Sequence, residues 1–217
     1  MPVKGALEKY LVKPGQKLNL AKRETDDKSL FDGNKDEHEP FLKQLREDLK
    51  IQQNHLYAES KHRLLVVIQA MDTGGKDGTV KSVFSDVDPQ GIHVEPFKKP
   101  SEDELARDFL WRVHAKVPCN GQIVVFNRSH YEDILAVRVK NIFPKSVWEP
   151  RYQHIVDFER MLADEGTTIV KIFLHISKDE QKERLQSRLD NVVKHWKFNP
   201  DDLKDRARWD DFQGVYE

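Results

Sequence analysis

The chain has 217 residues, of which 38% are hydrophobic and 34% charged, with a formal net charge of -1. That length fits one α/β domain with a helical arm, and that composition fits a single core under a heavily charged surface. A globally basic nucleic-acid binder is excluded, and no apolar run approaches the roughly 20 residues of a membrane-spanning helix.

Residues 1–36 are polar, carry Pro and Gly, and show no sustained period. They read as an arm with short elements, and Met1 to Leu20 lacks the apolar stretch of a secretory signal. Pro40 suits a first helical position, and Phe41, Leu42, Leu45 and Leu49 follow at helical spacing. An amphipathic helix to about Tyr57 is expected. Three short runs rich in β-branched residues then read as buried parallel strands: Leu64–Ala70, Ile123–Phe126 and Thr168–Ile176. A weaker strand is expected at Ile92–Glu95. Ser101 with Glu104, and Ser177 with Glu180, have capping-box spacing ahead of helices carrying Leu105, Phe109, Leu110 and Val113, and Leu185 and Leu189. Asn199, Pro200, Asp201 and Asp202 open a further helix. Strands alternating with helices predict a parallel sheet covered on both faces. A division into an arm with its helix (1–60) and a core (61–217) follows. Cys119 is the only cysteine, so no disulfide forms within these residues and a reducing cytoplasm is the expected setting.

The first strand runs into Ala70-Met71-Asp72-Thr73-Gly74-Gly75-Lys76-Asp77-Gly78-Thr79. A strand, a glycine-rich turn and a helix start make a phosphate-binding loop credible. Glycines let N–H groups turn toward phosphate oxygens, the helix presents its positive end, and Lys76 supplies a mobile charge. Two departures from the standard loop stand out. Ala70 takes the place of the first Gly, and Asp77 follows the lysine where Ser or Thr would hold Mg²⁺. Asp72 adds a carboxylate, which repels phosphate unless a metal lies between or the carboxylate serves the reaction.

The strand at Ile123 ends in Asn127-Arg128-Ser129-His130-Tyr131-Glu132-Asp133. In P-loop kinases the end of a neighbouring strand brings a metal-positioning carboxylate beside the loop; here that position holds Asn127. Arg128 is placed for bidentate contact with phosphoryl oxygens. Glu132 and Asp133 are open to a metal or acceptor role, or to a plain solvated one. His130 reads as structural, since transfer to a phosphate acceptor needs little proton chemistry. Arg184 and Arg188 share a helix face, and Arg206 and Arg208 follow; they are either closing groups over phosphates or partners of nearby acids. Trp196 and Phe198 read as packing residues.

Four stretches carry a resemblance: Gln69–Phe84, Phe97–Pro118, Gly121–Val139 and Asp179–Phe212. In these the chain resembles the polyphosphate kinase 2 family. The resemblance implies a three-layer α/β sandwich of the P-loop, thymidylate-kinase-like kind, with a helical lid at about 178–212. It implies inorganic polyphosphate as donor, AMP and ADP as acceptors with guanine equivalents possible, ATP among the products, and Mg²⁺ with Mn²⁺ as substitute. Asp72, Lys76, Arg128 and Arg188 match catalytic positions, Asn127 stands at a catalytic position where many members have Asp, and Asp72 and Asn127 are placed on the metal. Gly74, Gly75, Asp77, Gly78, Thr79, Lys81, Arg184 and Arg208 join the phosphate contacts. Glu132 and Arg138 join Asp72 and Asn127 on the nucleotide side. The Asn-Arg-Ser-His-Tyr form resembles the branch accepting both AMP and ADP. A homo-oligomer is implied, and no nucleic acid or membrane partner. Members continue past Glu217, so this sequence reads as a shortened form. Competing expectations are an ATP-dependent kinase on the same fold and a catalytically weak polyphosphate-binding protein.

Overall fold

A computed structural model describes residues 4–29 and 34–217. Residues 1–3 and 30–33 of the expected arm lie outside the described residues. The chain divides into two compact units, residues 46–174 and residues 1–45 with 175–217.

The unit 46–174 holds a four-stranded parallel sheet in the order β2-β3-β1-β4. The strands are β1 (Arg63–Ala70), β2 (Ile92–Pro96), β3 (Ile123–Asn127) and β4 (Thr167–Leu174). All four expected strands are present. The last one ends two residues earlier than expected, because Ser177 already caps the next helix.

Alternation along the strands sorts the side chains onto two faces. Leu65, Val67, Val124 and Phe126 pack with Phe97, Val113, Phe158 and Leu162 on one face. Val66, Ile68, Ile123 and Val125 point the other way, against Leu56, Val80 and Phe84. The first face is covered by α5 (Trp111–His114) and α7 (Lys145–Asp164). The second is covered by α3 (Lys76–Phe84) and the end of α2 (Lys35–Glu59). Only β1 and β3 are dry on both faces, which is why they read as unbroken apolar runs. β4, at the sheet edge, is not the buried strand expected, since Val170 is 42% and Ile172 39% exposed.

Two helices depart from the sequence-based expectation. α2 starts at Lys35, so Pro40 lies inside it rather than at its first position. Asn34 caps it: its Oδ1 accepts from the Asp36 and Glu37 N–H groups at 2.9 and 3.1 Å, and Glu37 returns a bond to Asn34 N at 3.0 Å. The helix expected over 102–113 is split into α4 (Glu102–Leu105) and α5. Asp108 explains the break. Its Oδ1 accepts from Leu110 N at 3.0 Å, a local bond that competes with helix continuation. The Ser101–Glu104 capping box forms as expected.

The other unit carries α1 (Lys4–Tyr10), a 3-10 turn at Leu20–Lys22, α8 (Lys178–Asp190), α9 (Asp201–Ala207) and α10 (Trp209–Tyr216). Residues 175–217 group with the arm. Leu20 N donates to Glu217 Oε1 at 2.6 Å, and the His175 ring meets Leu20 O at 3.1 Å. Ser177 accepts from Glu180 N at 3.0 Å, while the Glu180 carboxylate binds Arg184 Nε at 2.6 Å. Trp196 is 79% exposed in the 3-10 segment Val192–Lys197, so it is not the packing residue expected. Among the described residues, no helix is long and apolar enough to cross a membrane.

Candidate functional site

The strand order opens the site. The chain leaves β1 through α3 on one face and leaves β3 through α6 (Glu132–Lys140) and α7 on the other. Neighbouring strands that send their connections to opposite faces leave a crevice at their C-terminal ends. The turns 70–76 and 127–131 both stand there.

The first turn is tight. Gly74 N donates to Met71 O at 3.0 Å, and Thr73 and Gly75 are left-handed, with φ of 61° and 97°. Such turns aim successive N–H groups into one concavity, which suits an anion. A β-carbon on Gly74 would lie 2.5 Å from the Ala70 side chain and 2.7 Å from Met71 O. Ala70 thus fills the space where a more standard loop has glycine, and Gly74 leaves room for it. Lys76 opens α3 and is buried; its Nζ donates to Ala70 O at 2.8 Å and Met71 O at 3.2 Å. Burial pushes its ammonium down, as does Arg128, while Asp72, Glu132 and Asp77 oppose the shift.

Arg128 follows β3 with φ of 64°. Its N–H donates to Ile68 O at 3.2 Å, and its guanidinium donates to Asp72 Oδ1 at 2.8 Å. Asn127 Nδ2 donates to Asp77 Oδ1 at 2.8 Å. The two turns are therefore cross-linked twice, by an ion pair and by an amide–carboxylate bond. Beneath them lies Gln69. Its amide, turned to satisfy both neighbours, donates to Glu132 Oε1 at 3.1 Å and accepts from Ser129 Oγ at 2.8 Å. Glu132 is half-buried. Desolvation raises its carboxyl pKa, against the nearby Arg128 and Lys76 charges. Asp133 is buried and bound by Arg112 at 3.1 Å, which makes it a structural acid rather than a solvated one.

Asp72, Gly74, Gly75, Lys76, Asp77, Asn127, Arg128 and Glu132 thus meet in one place. Gly78, Thr79 and the exposed Lys81 continue along α3. Arg138 does not join them directly. It sits about 9 Å along α6 from Glu132, donating to the Tyr152 hydroxyl at 3.0 Å with its guanidinium 5.1 Å from the Trp148 ring centre. Arg184, Arg188 and Arg208 belong to the other unit. Each binds an acid there: Glu180, Asp202 at 3.0 Å, and Asp211 at 3.0 Å respectively.

Glu159 and Lys171 were not singled out from sequence. Glu159 accepts from the Tyr131 hydroxyl at 2.8 Å and from Lys171 Nζ at 2.7 Å. A signal existed. Ile155, Phe158 and Leu162 form the buried stripe of α7, and an acid at 159 falls on that stripe.

Among the described residues, no three His, Cys, Asp or Glu side chains form a metal cage. The carboxylates present instead suit a hard cation shared with substrate phosphates, as Mg²⁺ is commonly held. Asn127 commits its amide N–H to Asp77, so only its Oδ1 is suited to a metal or a metal-bound water.

A family model described as Polyphosphate kinase 2 matches residues 32–217. The chain is 56% identical over 211 residues to an AMP/ADP-polyphosphate phosphotransferase of Meiothermus ruber, covering 97% of this chain and 79% of that protein. It is 42% identical to an ADP-polyphosphate phosphotransferase of Rhodopseudomonas palustris, over 97% and 76% of the two chains. A crystal structure of a polyphosphate kinase 2 from Arthrobacter aurescens superposes with a TM-score of 0.89 at 44% identity, covering 94% of this chain and 73% of that one.

Proposed function

The chain belongs to the polyphosphate kinase 2 family of phosphotransferases, and from that premise we propose that it moves the terminal phosphoryl group of inorganic polyphosphate onto AMP and ADP. The observation that carries the reading is the crevice where Lys76, Asp72 and Arg128 converge at the ends of β1 and β3. The relative named for AMP and ADP supports both acceptors. A relative named for GDP, 31% identical, extends the expectation to guanine nucleotides.

The loop N–H groups and Lys76 would take the phosphoryl group in transfer. Lys76 now binds loop carbonyls, and an incoming phosphate oxygen offers its ammonium a stronger acceptor. Arg128 would stabilise the equatorial oxygens. Its pairing with Asp72 keeps its guanidinium at the crevice before substrate arrives. Asp72, with Asn127 and Asp77 beside it, would hold Mg²⁺ or Mn²⁺ together with substrate oxygens. The chemistry of such an ion is charge neutralisation between two anions that must meet. Transfer then proceeds in line, by positioning and electrostatics, with no covalent enzyme intermediate. Glu132 and Arg138 stay on the nucleotide side of this proposal. Lys81, Arg184, Arg188 and Arg208 stay on the polyphosphate side. A cytoplasmic homo-oligomer is the accompanying expectation, readable from the mass in solution.

The test is an incubation with long-chain polyphosphate, Mg²⁺ and AMP or ADP in the absence of ATP, followed by chromatography of the nucleotides. ADP and ATP should form from AMP, and Asp72→Asn and Lys76→Ala should each abolish turnover. Turnover with ATP but not polyphosphate as donor would refute the proposal.

A further inference from the structure

Behind the Arg128 turn lies a charged cluster that the transfer chemistry does not use. Glu159 sits on the inward stripe of α7 with its side chain 12% exposed. Its Oε1 accepts from the Tyr131 hydroxyl at 2.8 Å and from His130 Nε2 at 3.1 Å. Its Oε2 accepts from Lys171 Nζ, on β4, at 2.7 Å, and Lys171 also donates to the Tyr131 hydroxyl at 3.1 Å. The His130 ring is fully buried and stands against Tyr131 at 4.7 Å and Phe158 at 6.0 Å between ring centres.

Stability is a poor reason for this cluster. Its pairs stabilise the ionised Glu159, yet an apolar replacement of such a charged network is often neutral or stabilising overall. Its placement is informative. Two of the donors to Glu159 are the residues directly after Arg128-Ser129. Arg128 holds a left-handed backbone at φ of 64°, a conformation that persists only where the surroundings over-determine it. On one side Arg128 N is tied to Ile68 O and Ser129 to Gln69. On the other side Glu159 is the anchor, joining the turn to α7 and β4 at once.

We propose that Glu159 is a positioning residue for phosphoryl transfer: it clamps His130 and Tyr131 so that the strained turn presents Arg128 to the transferred group. The inference rests on the phosphoryl role of Arg128 proposed above. Glu159 itself touches no reacting atom.

A double-mutant cycle tests it. Glu159→Gln keeps the side-chain shape but loses the charge that orders three donors. Its kcat should fall roughly ten- to hundredfold, as misplacement of a catalytic group does, while KM for AMP stays within about twofold. Arg128→Ala should lose at least as much, and the double variant should be no slower than Arg128→Ala alone. Lys171→Met removes one donor from a half-exposed position. It should shift kcat the same way by less, and it carries the cycle if Glu159→Gln does not fold. Multiplying losses in the double variant would overturn the proposal, as would full kcat in a folded Glu159→Gln. A readout independent of turnover is the ¹⁵N signal of the Arg128 guanidinium, assigned by its loss in Arg128→Ala. It should broaden or shift in Glu159→Gln, and an unchanged signal would overturn the clamp even if polyphosphate proved not to be the donor. Absent polyphosphate turnover in the wild type, with the guanidinium signal still shifted in Glu159→Gln, would refute the donor assignment and leave the clamp standing.

Discussion

At Gly74 the constraint is steric. The added β-carbon of alanine would meet the Ala70 side chain at 2.5 Å and a backbone oxygen at 2.7 Å, and neither is the far end of a flexible chain. Something in the loop must move. Gly74→Ala should therefore lower kcat by at least about tenfold, by the same misplacement logic, while the sheet beneath keeps its thermal midpoint within a few degrees. Steady-state rates beside a melting curve check this; near-normal turnover would remove the loop from the reaction. Lys76 and Arg128 were legible as residue types, since a glycine-rich strand-to-helix turn and an arginine at the next strand's end have direct chemical readings. Their partners were not. Nothing local tells that Asn127 binds Asp77, because those residues stand 50 positions apart.

Between elements, the Glu159 cluster makes a pH prediction. Burial alone would raise the Glu159 carboxyl. Hydrogen bonds from His130, Lys171 and Tyr131 and the Lys171 charge outweigh it and hold the pKa at about 2, below the ordinary 4.5. A carboxyl depressed in the folded state stabilises fully above the unfolded value, and that stability is lost as pH falls from about 4.5 toward 2. The loss is at most on the order of 3 kcal/mol. Glu132 and Asp133 are shifted upward by desolvation and act with the opposite sign. The wild type should thus lose more stability than Glu159→Gln between those pH values, measured by urea unfolding at matched pH. Parallel pH profiles would mean the ion pairs contribute nothing. The elements themselves were largely visible beforehand. The two central strands are dry on both faces, which enforces apolar β-branched runs, so β1 and β3 announce themselves. The helix boundaries were not, where a local side-chain bond competed: the Asn34 cap moved the start of α2 ahead of Pro40, and Asp108 interrupted the helix after Leu105.

For the molecule as a whole, net charge near zero means that no global field gathers a polyanion. Attraction must come from local cations, and many of the arginines and lysines described are paired with acids. A polyphosphate chain touching several such groups at once should lose affinity steeply between about 50 and 200 mM salt. AMP, with one phosphate, should lose much less. Calorimetric titrations at the two salt concentrations separate these, and equal sensitivity would argue against a multi-cation track. By itself the sequence determined the class of fold and the residue types of the site, because strand periodicity, a glycine-rich loop and cap spacings are local signals. Only the tertiary structure decided the strand order that opens the crevice, the pairing of Arg128 with Asp72, and the anchoring of that turn by Glu159. The last two join residues 28 to 56 positions apart, and no short-range propensity encodes which distant partner a charged side chain will meet.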